Sequence, residues 1–234
     1  MKKIVFPFLF VVMLGFSGCI KPGDNIQTFS TFGIVELNWE IFQLTLKTPI
    51  GPVYASTLQT DPDLSEHDAV AASFSINFDQ QTSDKYYVTS DLQAVKVNRE
   101  SAEATPGGES MSGDFDLPID DIGIWGNVGY TIFFEFAHKN ATNQDTFLYE
   151  MTYDNEQTEG TPVVKIRAKK NSGGSKRAVC AFDMYIFFWI NRDDDNKVKF
   201  NIQYKTGVDE DGNDVYSYCK DNSGNVITFN AEVE

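Results

Sequence analysis

The chain has 234 residues, 41% of them hydrophobic and 14% aromatic, which is enough apolar material for a sizeable core and excludes a disordered or collagen-like protein. Lys and Arg number 19 against 34 Asp and Glu, a net charge of −15, so the chain does not read as one that condenses onto phosphate backbones, and no nucleic acid is expected as a partner. Three Cys without a Cys-x-x-Cys pair give neither a disulfide-stapled scaffold nor a zinc ribbon.

At the N-terminus Lys2 and Lys3 precede an apolar run from Ile4 to Phe16, and the small residues Ser17 and Gly18 stand immediately before Cys19. A helix of that run would be about 20 Å long at ~1.5 Å per residue, short of a ~30 Å hydrocarbon layer. Residues 1–18 therefore read as an export signal. Small residues before a Cys resemble the lipobox of bacterial lipoproteins, which implies acylation of the Cys19 thiol, with palmitate-like chains, and cleavage before it. A mature chain starting at Cys19 loses Lys2 and Lys3 and keeps 17 basic against 34 acidic residues, net −17. Basic residues cannot hold such a protein on an anionic surface. The expected attachment is through N-terminal acyl chains, at about 0.8 kcal/mol per buried CH₂, on the cell envelope and specifically the outer membrane. Residues 19–28 are a polar tether carrying Pro22, Gly23 and Asp24. No later stretch has the ~18 apolar residues of a spanning helix; the longest, Val179 to Ile190, is interrupted by Asp183.

Residues 29–97 read as five strands: Ser30 to Leu37, Ile41 to Lys47, Val53 to Thr57, Ala69 to Phe78 and Lys85 to Val97. Alternation is clearest where Ala72, Phe74, Ile76 and Phe78 alternate with Ser73, Ser75 and Asn77, as a sheet with one wet face requires. Asp61 to His67 is placed as a helical turn. This pattern predicts a compact five-stranded OB-like barrel. Residues 98–113, rich in Ser, Glu and Gly around Pro106-Gly107-Gly108, read as a linker.

Residues 114–234 carry strands at about 115–124, 128–138, 145–153, 162–170, 179–190, 197–206, 214–219 and 225–233. The clearest places Val198, Phe200, Ile202 and Tyr204 on one face with Lys197, Lys199, Asn201, Gln203 and Lys205 on the other. Asp193-Asp194-Asp195-Asn196, Asp211-Gly212-Asn213 and Ser223-Gly224-Asn225 supply turns. Eight short strands predict a C-terminal β-sandwich, so the whole chain is expected to be all-β.

A lipobox, an OB-like half, an acidic linker and a β-sandwich half together resemble the NigD-like lipoproteins of anaerobic Gram-negative bacteria. In the second half the likeness is carried by Ile119-Asp120-Asp121-Ile122-Gly123-Ile124-Trp125-Gly126, by the strand Tyr130 to Phe136, and by Val163 to Asn171, where Lys170 stands in place of the family's usual His. The resemblance implies no enzymatic activity. Through the family's association with bacteriocin gene clusters it implies an immunity or accessory role.

No catalytic, metal or cofactor site is legible. His67 and His138 lie in different halves, away from any nucleophile motif, and read as surface-loop residues. Asp120-Asp121 is one carboxylate pair among many in an acidic chain. Asp209 to Asp214 begins like a calcium loop but has Asp214 where the loop needs Gly and Lys220 where it needs Glu, so a hairpin turn is expected. Two features suggest contact with a partner. Read as a strand, Val179 to Ile190 is apolar on both faces, with Tyr185, Phe187 and Trp189 on one; these three are the candidate surface for an envelope protein or a glycan. Arg167, Lys169, Lys170, Lys176 and Arg177 are expected to form a basic cluster at a hairpin tip. In a simple meander Cys180 and Cys219 would be offset by about 20 Å at ~3.3 Å per residue, far beyond disulfide reach, so both are expected unpaired.

Overall fold

The computed structural model describes residues 25–139, 146–157, 160–171, 177–221 and 223–232; of Arg177 and Glu232 only the backbone is described. The chain is all-β, with one short helix among the described residues, and divides between Val97 and Asn98 into two compact units.

In the first unit β1 (Ile26–Asn38) pairs antiparallel with β2 (Gln43–Thr48) on one side and β4 (Ala69–Asn77) on the other. β2 continues antiparallel to β3 (Gly51–Ala55), which pairs in parallel with the short β5 (Tyr87–Thr89). The alternation of β4 is realised: Ala72, Phe74 and Ile76 are buried and the intervening Ser73, Ser75 and Asn77 are not. With Val35, Leu46 and Val53 they form the core of this unit. Gly33 allows the close approach of β1 and β2, since a Cβ there would lie 2.5 Å from the Lys47 carbonyl and 2.6 Å from Leu46 Cδ1. The fifth expected strand is two, β5 and β6 (Gln93–Ala104), broken by a turn in which Asp91 accepts from the Thr89 hydroxyl at 2.6 Å and the Ser75 amide at 2.8 Å. The helical turn lies at Ser56–Gln59 rather than at Asp61 to His67.

The segment 98–113 is not a solvated linker. Residues up to Val97 of β6 pair with β4, and those from Asn98 to Ser101 pair in parallel with β11 (Arg177–Asp183). Ala102 to Ala104 pair in parallel with β9 (Phe147–Tyr153). Pro106–Gly108 form one 3₁₀ turn whose Gly107 and Gly108 have φ of +63° and +65°, a region open to glycine. Polar composition alone could not separate this segment from a linker, because its hydrogen bonds are made to buried groups far along the chain.

The second unit sets β8 (Thr131–Ala137) between β7 (Asp121–Val128) and β11. β9 pairs antiparallel with β10 (Val163–Lys170), and β10 lies parallel to β12 (Lys197–Val208). The two halves of β12 pair with β14 (Thr228–Glu232) and β13 (Asp214–Tyr218). Val198, Phe200 and Ile202 point inward as their alternation requires, joining Phe134, Phe136, Met151, Ile166 and Phe182. The turns share one device. Asp193, Asp209 and Asp221 each accept from the backbone amides two and four residues on, at 2.8–3.0 Å. Asp209 is thus a hairpin residue, and hydrogen bonds from Asn213 and the loop amides lower its carboxyl pKa.

Candidate functional site

The run expected as a strand from 179 to 190 changes form at Asp183. β11 ends there and α1 (Tyr185–Asn191) begins. One carboxylate oxygen of Asp183 accepts from the Tyr185 amide at 2.9 Å and the other pairs with Arg99 at 2.6 Å, while Asn191 donates to the Phe187 carbonyl at the far end. Every residue from Tyr185 to Ile190 is apolar, so the run fits a period of 2 and of 3.6 alike, and tertiary contacts decide. At helical period Met184, Phe187 and Phe188 face the core: Phe187 stacks edge-on to Tyr153 at 5.0 Å and to Phe200 at 5.3 Å. Phe187, 1% exposed, is therefore removed from the candidate surface. Tyr185 and Trp189 remain, and Ile186 and Ile190 join them at exposures of 45–56%. The Tyr185 and Trp189 rings are 6.4 Å apart, and the Arg192 guanidinium lies 3.6 Å from the Trp189 ring centre. Cys19 and Lys176 lie outside the described residues.

The basic cluster is not at a hairpin tip, because β10 pairs with β9 and β12 while β11 pairs with β6 and β8. Arg167 is fully buried. Its Nη1 donates to Thr152 Oγ1 at 2.7 Å, its Nη2 to the Gly108 carbonyl at 2.7 Å and its Nε to the Tyr216 hydroxyl. Glu150 lies 3.5 Å and Asp214 3.7 Å from the guanidinium, and Lys205, also buried, pairs with Asp214 at 2.6 Å. Glu150 further accepts from the Ser110 hydroxyl and the Met111 amide. Although burial opposes ionisation of Asp214, the hydrogen bonds from Lys205 and Tyr216 and the nearby cations hold its pKa below the ordinary value. The alternation of β10 does place Arg167 on the face opposite Ala168, but no sequence signal marks an Arg whose partners lie up to 59 residues away.

His138 is buried rather than on a surface loop. Its Nδ1–H donates to the Pro118 carbonyl at 2.9 Å, which leaves Nε2 to accept from the Tyr149 hydroxyl at 3.0 Å. Burial lowers its pKa and favours this neutral tautomer. His67 is exposed, as expected. Cys180 and Cys219 are both free and buried; burial pushes the Cys219 thiol up to about 12 and moves Cys180 in the same direction.

Two clefts are formed by described residues of the second unit. One, of about 370 Å³, is lined by Glu100, Glu103, Glu150, Arg99 and Lys169. Glu150 is committed to Arg167 and Ser110. The other, of about 440 Å³, has Ile122, Ile124, Cys219 and Ile227 as its apolar lining. Asp121, Tyr204, Ser217, Tyr218 and Lys220 supply its polar lining. Burial raises the Tyr204 pKa, with smaller contributions from nearby Cys219 and Asp121.

These features define a two-unit all-β protein with a buried ionic cluster, an exposed apolar helix face and two clefts in its second unit. No protein-family model matches the chain, and no curated protein matches its sequence. Solved structures do share its fold. An uncharacterised protein from Parabacteroides merdae superposes with a TM-score of 0.69 at 16% identity, covering 88% of this chain and 99% of that one. A NigD-like immunity protein from Bacteroides caccae does so at 0.52 and 15%, covering 89% and 98%. A provisionally named lipoprotein from Bacteroides fragilis gives 0.53 and 13%, covering 89% and 99%. The NigD-like resemblance of the sequence is thus matched in the fold across nearly nine-tenths of the chain.

Proposed function

We propose that the chain is a lipid-anchored protein of the bacterial cell envelope, held at the outer membrane through Cys19, and that it acts as a non-enzymatic binding or accessory module. The observation that carries the binding role is the exposed apolar face of α1. Tyr185, Ile186, Trp189 and Ile190 are contiguous on a strongly acidic protein whose core is already filled by Phe187 and Phe188, and contiguous apolar surface of this kind marks interaction sites. The expected partner is an envelope protein with an apolar surface, because rigid aromatic anchors such as Trp and Tyr dominate protein interfaces. The address is supported by the Ser17-Gly18-Cys19 sequence and by the lipoprotein name borne by one fold neighbour.

The acylated protein, immobilised and exposed to its own detergent-solubilised envelope, should retain a specific protein. A Tyr185→Ala/Trp189→Ala variant of unchanged stability should lose it. Equal retention by both forms would return α1 to a purely structural role. The name of the Bacteroides caccae neighbour favours a second reading, an immunity protein against a bacteriocin; that reading requires deletion of the gene to raise sensitivity to killing, whereas an accessory module leaves sensitivity unchanged.

A further inference from the structure

The larger cleft differs from the rest of the second unit in how its polar groups are used. In the ionic cluster each charged group is satisfied by protein: Arg167 by Glu150, Asp214, Thr152 and Gly108, and Lys205 by Asp214. Around the cleft of about 440 Å³ the side chains of Tyr204, Ser217, Tyr218 and Lys220 make no hydrogen bond or ion pair with any described residue. Tyr204, Ser217 and Tyr218 are half-buried and Lys220 is exposed. Tyr204 and Ser217 are register partners on β12 and β13, and Asp121 faces them from β7. Two phenols, a hydroxyl and an ammonium whose hydrogen-bonding capacity no described residue uses, together with the Asp121 carboxylate, which accepts from the Ile122 amide at 3.0 Å, therefore line one cleft with an apolar base of Ile122, Ile124 and Ile227.

That combination selects a ligand. An apolar base needs a partner with an apolar face, and unspent donors and acceptors on the rim need a partner rich in hydroxyls, since displacing ordered water is favourable only when its hydrogen bonds are reproduced. Lys220 and Asp121 are the two formal charges of the lining and are opposite in sign, so neither an anion nor a cation is favoured. The volume lies within the ~300–1,000 Å³ of small-molecule sites. We infer that this cleft binds a short neutral oligosaccharide, with the C–H face of a sugar ring on the isoleucines and its hydroxyls on Tyr204, Ser217, Tyr218 and Lys220. An extended peptide adding to the edge of β7 is the competing occupant. That edge is blunted by a bulge between Ile124 and Gly126, and the Ile122 amide is taken by Asp121 at 3.0 Å, both devices that oppose strand addition.

The inference deepens the binding-module reading, and its test reads the cleft directly, with α1 entering only as a control. Calorimetric titration of the full acylated protein in detergent with maltotriose, cellotriose, mannotriose and tri-N-acetylchitotriose should show binding of at least one at millimolar or lower concentration. Tyr204→Phe, which removes one hydroxyl, should weaken it about five- to tenfold, and Tyr218→Ala should weaken it at least as much. Trp189→Ala should leave it unchanged. Urea midpoints verify folding, and Lys220→Ala, at an exposed position, replaces any variant that does not fold. Absence of binding by all four sugars would overturn the inference, as would binding insensitive to the cleft variants, or binding of a Val-Thr repeat hexapeptide and no sugar; each of these leaves the α1 and Cys19 tests standing.

Discussion

Phe187→Ala is expected to lower the stability of the second unit by about 3–5 kcal/mol, whereas Trp189→Ala, two residues on, should change it by no more than about 1 kcal/mol. The Phe187 side chain is 1% exposed and is wedged between Tyr153 and Phe200, so truncation removes its transfer free energy and leaves a cavity that the flanking rings cannot close. Trp189 is half exposed and touches Tyr185 and Arg192, both on the surface. In a strand the two residues would share a face and respond alike. Urea denaturation of the two variants therefore discriminates helix from strand at α1: a large and a small loss is the expected pair, and two similar losses would refute the helical placement.

Arg167→Ala should cost about 3–5 kcal/mol, the usual consequence of removing one partner from a buried ion pair. The loss comes less from the missing attraction than from what remains. Glu150 stays buried without its cation, and the Gly108 carbonyl and Thr152 hydroxyl, which remain bonded to each other at 2.8 Å, each lose one donor. Adding Glu150→Gln should recover part of the loss, because a neutral amide no longer demands a counter-charge in that position. A double variant as unstable as the single one would show that the cost lies in the lost packing of the guanidinium and not in the stranded carboxylate.

Much of the architecture is legible in the sequence because its strands have one dry face. β4 and β12 follow from the alternation of Ala72, Phe74 and Ile76 and of Val198, Phe200 and Ile202, and the hairpins follow from Asp-led turns whose carboxylates bind the loop amides. What is not legible depends on distant partners. The run Tyr185 to Ile190 is apolar throughout, so its period carries no information; the packing of Phe187 and Phe188 against Tyr153 and Phe200 sets the helix. The Pro106-Gly107-Gly108 segment has linker composition, yet its Gly108 carbonyl is an acceptor for an arginine 59 residues later. Arg167 and His138 look like surface residues by type and are buried because specific acceptors await them. The candidate surface was half legible for the same reason: Tyr185 and Trp189 hold their place, Phe187 does not.

The tether at Cys19 underlies the proposed role, and one measurement addresses it directly. Intact-mass and peptide mass spectrometry of the protein purified from the membranes of its native host should find the chain starting at Cys19 with acyl chains on that residue, and Cys19→Ala should leave the chain uncleaved and unacylated. A chain recovered from the soluble fraction with an unmodified Cys19 thiol would contradict the envelope-anchored function.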